Sequence, residues 1–460
     1  MSNILVLFSQ PILDAKNPKG IICFYESFIS ELRKNSNNVK CVNIYSINNV
    51  DFECISNIKQ FNPDIIFAFN NRITESIIKN TDCPICIMNA DGLDMWSNVH
   101  LIKQYIDRYY LFSFWHGWEQ TEYENLGLDK KHIASLHMAT SIHAKCLEKT
   151  ANISFIGSVF MQPSKQAAEL YENNAVLRND AQQVLYNGNI DFDKFFERYK
   201  SDFNNDILQC YPLFDPRLFI LNSVTDLGLD LYGLGWDKLP DEYMFLKSVY
   251  KKQPICTLDD NERIYNSSHV NISISHPQCK GYAFPWRVFD IMASNGLLIS
   301  SYSGLLEKMT KGHVKIPMYK SPYEARDLCK YALENPKYCK DIIAASNEFI
   351  EKKARWDDNL QKIQEITKTK IINKSQKKHG DLDIICIVDK SDVDKSVKNT
   401  VITGKKSKIK KFFNRLAIKK RAKLFFYSFL LTLAQIPILD LLQRSKTRIE
   451  LRRKIDKWWR

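Results

Sequence analysis

Several features that would settle the class of this 460-residue chain at once are missing from it. The uncharged run Leu424–Leu439 has 16 residues, short of the ~20 that a membrane-spanning helix needs, and Pro437 and Asp440 weaken it further. The opening M-S-N-I-L-V-L-F-S-Q has no basic region and no long apolar core, so it reads as a first β-strand rather than a signal peptide. The twelve cysteines are scattered, and Cys41, Cys86 and Cys386 sit inside apolar runs. That usage suits buried thiols in a reducing compartment and excludes a disulfide-framed secreted fold. No internal repeat is present.

Metal and cofactor signatures are also poor. Cys83 and Cys86 have C-x-x-C spacing, but no second pair completes a zinc site. The D-x-D pairs Asp191/Asp193, Asp381/Asp383 and Asp392/Asp394 fall in polar or charged stretches rather than after a strand. The G-L-G within Leu231–Trp236 lacks the full dinucleotide fingerprint. The expectation is no metal and no cofactor.

Charge is abundant but uneven. Residues 405–460 hold 18 Lys/Arg against 3 Asp/Glu, a net +15, whereas the whole chain is +13, so residues 1–404 sum to −2. A body near neutrality does not suit nucleic-acid binding. The tail places basic clusters and edge aromatics on both sides of Leu424–Leu439, a pattern suited to helices lying in a membrane interface. A helical arm packed on the body or on a partner, and a true span, are the alternatives.

In the first 140 residues apolar runs alternate with helical patterns. Strands are expected at Ile4–Phe8, Cys41–Tyr45, Asp64–Phe69, Pro84–Asn89, Tyr109–Phe114 and Ile133–Met138. Helices are expected at Gly20–Lys34, Phe52–Gln60 and Val99–Ile106. Strands spaced by helices imply right-handed βαβ units and a mostly parallel sheet. A second α/β domain begins at Ile153–Ile156, takes a polar helical insertion over 161–213, and resumes with a helix at Arg217–Val224 and a strand at Leu229–Tyr232. A helix from about Asp341 to Ile366 closes it. The resulting division is 1–148, 149–366, a linker at 367–404 whose run Ile384–Val388 can form a strand, and the tail 405–460.

Residues 264–304 are the most informative. Val270–Ser275 suits a strand, F-P-W-R-V-F-D-I-M-A-S-N-G a helix entered at Pro285 and ended by Asn295-Gly296, and Leu297–Ser301 the next strand. Arg287 and Asp290, three residues apart, share a helix face. A guanidinium near a helix N-terminus can hold a diphosphate, and a carboxylate one turn on can accept hydrogen bonds from ribose hydroxyls. The plain alternative is an amphipathic helix with a surface Arg–Asp pair.

With N-I-S-F-I-G-S at Asn152–Ser158 and L-Y-G-L-G-W at Leu231–Trp236, this segment resembles the second Rossmann-like domain of GT-B glycosyltransferases, nearest to the spore-maturation-protein-like (CgeB-like) branch with its R-x-F-[DE] helix. The resemblance covers roughly 150–365 apart from the insertion. It implies two Rossmann-like domains facing a cleft, a nucleotide-sugar donor as substrate, and metal-independent stabilisation of the leaving group by Arg287 and the nearby helix N-terminus. It also implies a final helix that crosses back onto the first domain. Gly157 and Ser158 are then phosphate-turn candidates, Gly233, Gly235 and Trp236 candidates to wall the base, and Arg217 a phosphate contact. His276, Lys280 and Tyr282, in the loop before the helix, are placed to approach the sugar or leaving group. The first domain holds the acceptor, and Asp91 is the leading candidate base, in N-A-D-G-L-D-M-W, with Asp94 beside it and His116 weaker. Gly20 keeps a loop over the cleft small. Two runs differ from the family's usual pattern: His313 and Lys315 stand where relatives often carry a glutamate, and Ala354–Asn359 reads A-R-W-D-D-N.

The expected function is sugar transfer from a nucleotide donor to a glycan, lipid-linked at the cytoplasmic membrane face, in bacterial surface polysaccharide, lipopolysaccharide or glycoprotein-glycan assembly. A non-catalytic nucleotide- or glycan-binding subunit that recruits a partner transferase, and a nucleotide-sugar epimerase, are the alternatives.

Overall fold

The computed structural model describes residues 1–10, 20–44, 52–91, 96–114, 124–159, 165–186, 192–204, 216–239, 243–253, 255, 257–276, 279, 283–373 and 382–387. Residues Met1–Asp389 form one compact unit, and the tail 405–460 lies outside the described residues.

Two parallel sheets organise that unit. The first contains β1 (Asn3–Phe8), β2 (Asn38–Ile44), β3 (Ile65–Phe69), β4 (Ile85–Asn89), β5 (Tyr109–Ser113) and β6 (Ile133–Ser135), in the order β2-β1-β3-β4-β5-β6. The second contains β7 (Ala151–Ile156), β8 (Leu229–Tyr232), β9 (Ser268–Ser273), β10 (Leu297–Ser301) and β11 (Met318–Tyr319), in the order β11-β10-β9-β7-β8. β7, β9 and β10 are buried along most of their length, as expected of an all-parallel sheet covered on both faces. Ile153, Val270 and Ile299 face one core, and Leu298, Phe289 and Ile291 belong to the other. Both sheets change winding direction between their first and third strands, so each has a switch point at β1/β3 and at β7/β9 respectively. Ligands in doubly wound folds bind beyond the carboxyl ends of strands at such points. Two such doubly wound parallel sheets are what the resemblance implies.

The insertion forms helices Lys165–Asn173, Ala175–Tyr186 and Phe192–Tyr199 around their own small core of Ala167, Leu177, Ala181, Phe195, Tyr199 and Phe203. Phe219, on the helix Pro216–Asn222 that also carries Arg217, packs against it.

Two expectations need correction. The helix after Pro285 is short, Arg287–Met292: Val288 and Phe289 donate to the carbonyls of Pro285 and Trp286, so the entry is a tight turn. The single helix expected over 341–366 is two, Pro336–Lys353 and Asp357–Thr367. The break is where the chain crosses between halves: Phe349, Ile350 and Ala354 belong to a second-half core, while Trp356, Leu360 and Ile363 belong to the first. Arg355 fixes the break by donating to the carbonyls of Thr140 and Ile142 in the connector, at 2.8 and 2.7 Å. Within the stretch read as a linker, the run that can form a strand is β12 (Leu382–Ile387), which adds in parallel to β2 at the edge of the first sheet.

Candidate active site at the facing switch points

At the second switch point, β7 runs out through Phe155 and Ile156 into Gly157-Ser158. Gly157 is held by its N–H to the Tyr232 carbonyl at 3.0 Å, and its own carbonyl accepts the Trp236 indole N–H at 2.8 Å. Gly233 passes over this turn with φ +121°, and a Cβ there would meet the Gly157 carbonyl oxygen at 2.3 Å, so only glycine fits. Ser158 Oγ accepts from the Leu234 N–H at 3.1 Å, joining the two glycine loops. Gly235, at φ +89°, leads into the short turn Trp236–Lys238. Trp236 is fully buried in the core under β7, so it braces the Gly157 turn and does not wall a base.

Two guanidinium groups converge on the ring of Phe155. Arg217 lies 5.6 Å and Arg287 5.3 Å from its centroid. Arg217 is buried and donates through Nη1 to the Ser158 carbonyl. Arg287 Nη1 is buried with no hydrogen-bond partner among the described residues, and a Cβ on Gly157 would sit 3.1 Å from it. An unmatched buried guanidinium nitrogen beside a glycine turn is costly unless an anion or water completes it. His276 follows β9 at the same edge. Burial, and then the charge of Arg217, pushes its imidazole down to about 4, so it is neutral at pH 7 and offers a hydrogen bond rather than a charge. Lys280 and Tyr282 lie outside the described residues.

Asp290 is elsewhere. Its carboxylate is buried, accepting from Thr140 Oγ1 at 2.6 Å and from the Cys23 thiol at 3.8 Å. Both partners belong to the first half or its connector, so the ribose role expected for Asp290 gives way to a junction role. Burial raises its carboxyl to about 6, and the bonds from Thr140 and Cys23 offset part of that.

Trp286, next to Arg287, was not singled out in the sequence, yet it joins the halves. Its ring meets Phe24 and Phe114 of the first half edge-on at 4.7 and 4.8 Å and stacks on Trp356 at 5.9 Å. The first switch point is therefore the facing edge. There Tyr25 stacks on Phe8 and meets Phe69 edge-on. Asp91, beyond β4, is exposed and accepts from Asn70 Nδ2 at 2.6 Å, while Asn70 Oδ1 accepts from the N–H groups of Ala90 and Asp91. Burial, then the Asp91 charge, raises the Tyr25 phenol, which places that carboxylate close to the edge. Gly20 is clasped by Gln10, whose amide donates to its carbonyl at 2.6 Å. Asp94 and His116 lie outside the described residues.

Among the described residues no group of three or more His, Cys, Asp or Glu side chains is placed to hold a metal ion. Burial pushes the Cys83 thiol up to about 11 and Cys86 higher than usual, the wrong direction for thiolate ligands. Among the described residues no helix is long and apolar enough to cross a membrane.

Residues 217–365 match the family described as glycosyl transferase-like. No curated protein sequence matches the chain. Among solved structures, Anabaena HepE in complex with UDP and glucose is 8% identical, with 80% of this chain and 100% of that one covered and a TM-score of 0.46. Sucrose-phosphate synthase from Thermosynechococcus elongatus is 10% identical, covering 79% and 99%, with a TM-score of 0.43. The T4 phage glucosyltransferase BGT with UDP-glucose is 13% identical, covering 80% and 99%, at 0.36.

Proposed function

We propose that the protein transfers a sugar from a nucleotide-activated donor to a glycan acceptor. The observation that carries this reading is the pair Arg217 and Arg287 on Phe155, with Arg287 Nη1 unmatched beside the Gly157 turn. The donor diphosphate lies at the β7/β9 edge, where the turn gives the backbone close approach and the guanidinium groups supply positive charge. In the transfer, the bond from the sugar's anomeric carbon to the diphosphate oxygen breaks and an acceptor hydroxyl oxygen bonds to that carbon. The two arginines stabilise the charge gathering on the departing diphosphate without a metal ion. Neutral His276 donates a hydrogen bond to the sugar or phosphate. Asp91, across the cleft and held by Asn70, takes the acceptor's proton.

The acceptor is lipid-linked, and the basic tail holds the enzyme peripherally on the inner face of the cell membrane, in surface polysaccharide or glycoprotein-glycan assembly. The charge separation between tail and body supports that setting. The R-V-F-D run at Arg287–Asp290 supports the CgeB-like branch.

Arg287→Ala removes a charge-assisted bond of about 1.5–3 kcal/mol, so affinity for nucleoside diphosphates should fall roughly tenfold or more. Titration calorimetry with a panel including UDP, repeated in EDTA, checks both halves of the proposal. Unchanged affinity in the variant removes Arg287 from the site, and loss of wild-type binding or transfer in EDTA overturns metal independence.

A further inference from the structure

The first switch point carries a positive charge that the proposed chemistry does not use. β3 ends at Phe69, and the chain turns through Asn70 and Asn71, both left-handed, into Arg72. Hydrogen bonds pin this turn. Arg72 donates its N–H to the Phe69 carbonyl at 3.0 Å, and Ile73 donates to that of Asn71 at 2.8 Å. Asn71 Nδ2 donates to the Ser97 carbonyl at 2.6 Å, and Asn98 Nδ2 to the Ile73 carbonyl at 2.8 Å. Arg72 therefore projects from fixed backbone, two residues after the asparagine that holds Asp91. The Tyr25 phenol senses both groups: burial and then the Asp91 charge raise it, and Arg72 draws it back down.

Arg72 is partly buried, yet among the described residues its guanidinium has no hydrogen bond and no ion pair, Asp91 included. Other partly buried arginines spend theirs. Arg108 donates to the carbonyls of Ile78 and Cys83 and to Thr81 Oγ1. Arg326 forks onto both oxygens of Asp226, and Arg355 serves two connector carbonyls and Glu351. A second group on the same turn is unmatched: Asn71 is wholly buried, and its Oδ1 has no partner among the described residues. A buried oxygen left so is costly unless a donor from a ligand or water reaches it. A free guanidinium fork matches the paired oxygens of a carboxylate or phosphate. An acceptor with such a group meets repulsion from Asp91, and a cation on the same edge offsets it. We infer that the acceptor is anionic, with Arg72 binding its carboxylate or phosphate group while Asp91 faces the hydroxyl that receives the sugar. This rests on the proposed transferase reading and names the chemical class of its acceptor.

The test is limited phenylglyoxal modification of the full chain, read at Arg72 by peptide mass spectrometry, with UDP present to occupy the donor side. The probes are methyl glucuronoside for a carboxylate, glucose 1-phosphate for a phosphate, and methyl glucoside as the neutral control. Arg72 should react readily in the free chain. An anionic probe should slow its modification roughly tenfold on approaching saturation, since only the unoccupied fraction reacts. Protection by the glucuronoside alone assigns an acidic sugar, and protection by glucose 1-phosphate alone assigns a phosphate-bearing acceptor. Arg72→Gln should weaken binding of the protecting probe about tenfold, and Arg72→Lys, which keeps the charge without the fork, severalfold. UDP affinity should be unchanged in both, and the lysine variant covers the case in which glutamine unfolds the turn. Equal protection by methyl glucoside, or none by either anion, overturns the proposal. So does an Arg72 that is inert in the free chain, which would be matched by the chain's own groups, or a fall in UDP affinity in a folded Arg72→Gln. If the wild type fails to bind UDP while Arg72 is still protected by an anion, the donor reading fails and the anion site stands.

Discussion

The two halves of the body use one topology and finish it differently. Each winds its first five strands in the same order and changes direction at the same place. At the second half's edge the chain turns on glycine: Gly157 and Gly233 cross with no room for a side chain, and Arg217, buried, and Arg287, half-buried, lie beside them on the Phe155 ring. At the first half's edge the left-handed positions are Asn70 and Asn71, at φ 49° and 53°, and Asn70 uses its side chain to hold an exposed carboxylate. Glycine clears backbone for a ligand that must approach closely. Asparagine tolerates the same backbone and adds hydrogen bonds. Under the proposed function, a bare turn beside two guanidinium groups suits a diphosphate, whereas a tethered exposed acid suits a substrate that comes and goes.

The largest expected effect tests the glycine crossing. Gly233→Ala places a Cβ 2.3 Å from the Gly157 oxygen at φ +121°, so it should cost about 3 kcal/mol or more of stability. Denaturant melts measure it, and a loss below about 1 kcal/mol would mean the turn can part without strain.

Next comes the junction between the halves. The Asp290 carboxyl is raised to about 6 in the folded chain, against 3.8 as its ordinary value. Between those values the folded state keeps a proton that the unfolded state has lost. The stabilisation from this group is thus complete below about pH 4 and disappears as pH rises through about 6. Asp290→Asn cannot titrate, so its stability relative to the parent should improve by up to about 1.4 kcal/mol per pH unit over that window and then level off. His276 slopes the opposite way: its imidazole is pushed down to about 4, so its contribution is present above its ordinary value of 6.5 and is lost as pH falls toward 4. In the parent the two largely offset one another, and a parent–variant difference that stays constant with pH would show that Asp290 does not titrate there. Ribonucleotide and deoxyribonucleotide binding should change equally in this variant, since the carboxylate faces Thr140 and Cys23.

The smallest effect concerns the edge proposed for the acceptor. Asn70→Gly keeps the left-handed backbone but removes the Asn70 bond to Asp91, a loss of about 1 kcal/mol of hydrogen bonding. Sugar transfer should slow severalfold, with nucleoside diphosphate affinity unchanged by calorimetry. A matching drop in donor affinity would contradict the division of labour between the halves.

Much of this was legible in the residues. The strands from Ile4 to Ser301 fall within a few residues of their expected places, because continuous apolar runs bounded by polar turns admit little else. Arg287, Arg217, Gly157 and Ser158 do meet at one edge. Phe155, the ring that gathers both arginines, was invisible because an aromatic in a buried strand has the same pattern as any core residue. Asp290 misled for a related reason. Spacing places it on a helix near Arg287, but only the packed halves show that Thr140 and Cys23 reach its carboxylate first. The broken helix was hidden because A-R-W-D-D-N contains no proline or glycine. The break is made by Arg355 reaching carbonyls more than two hundred residues away in sequence.

The return of the chain to the first sheet bears on how the molecule is made. β2 ends at Ile44, yet the strand that covers its open side begins at Leu382. At about 5–20 residues per second, a ribosome takes roughly 20–70 s to deliver that partner after β2 has emerged. Through that interval the second half, continuous in sequence, can complete itself, while the half begun first waits with a bare strand edge able to recruit a neighbouring nascent chain.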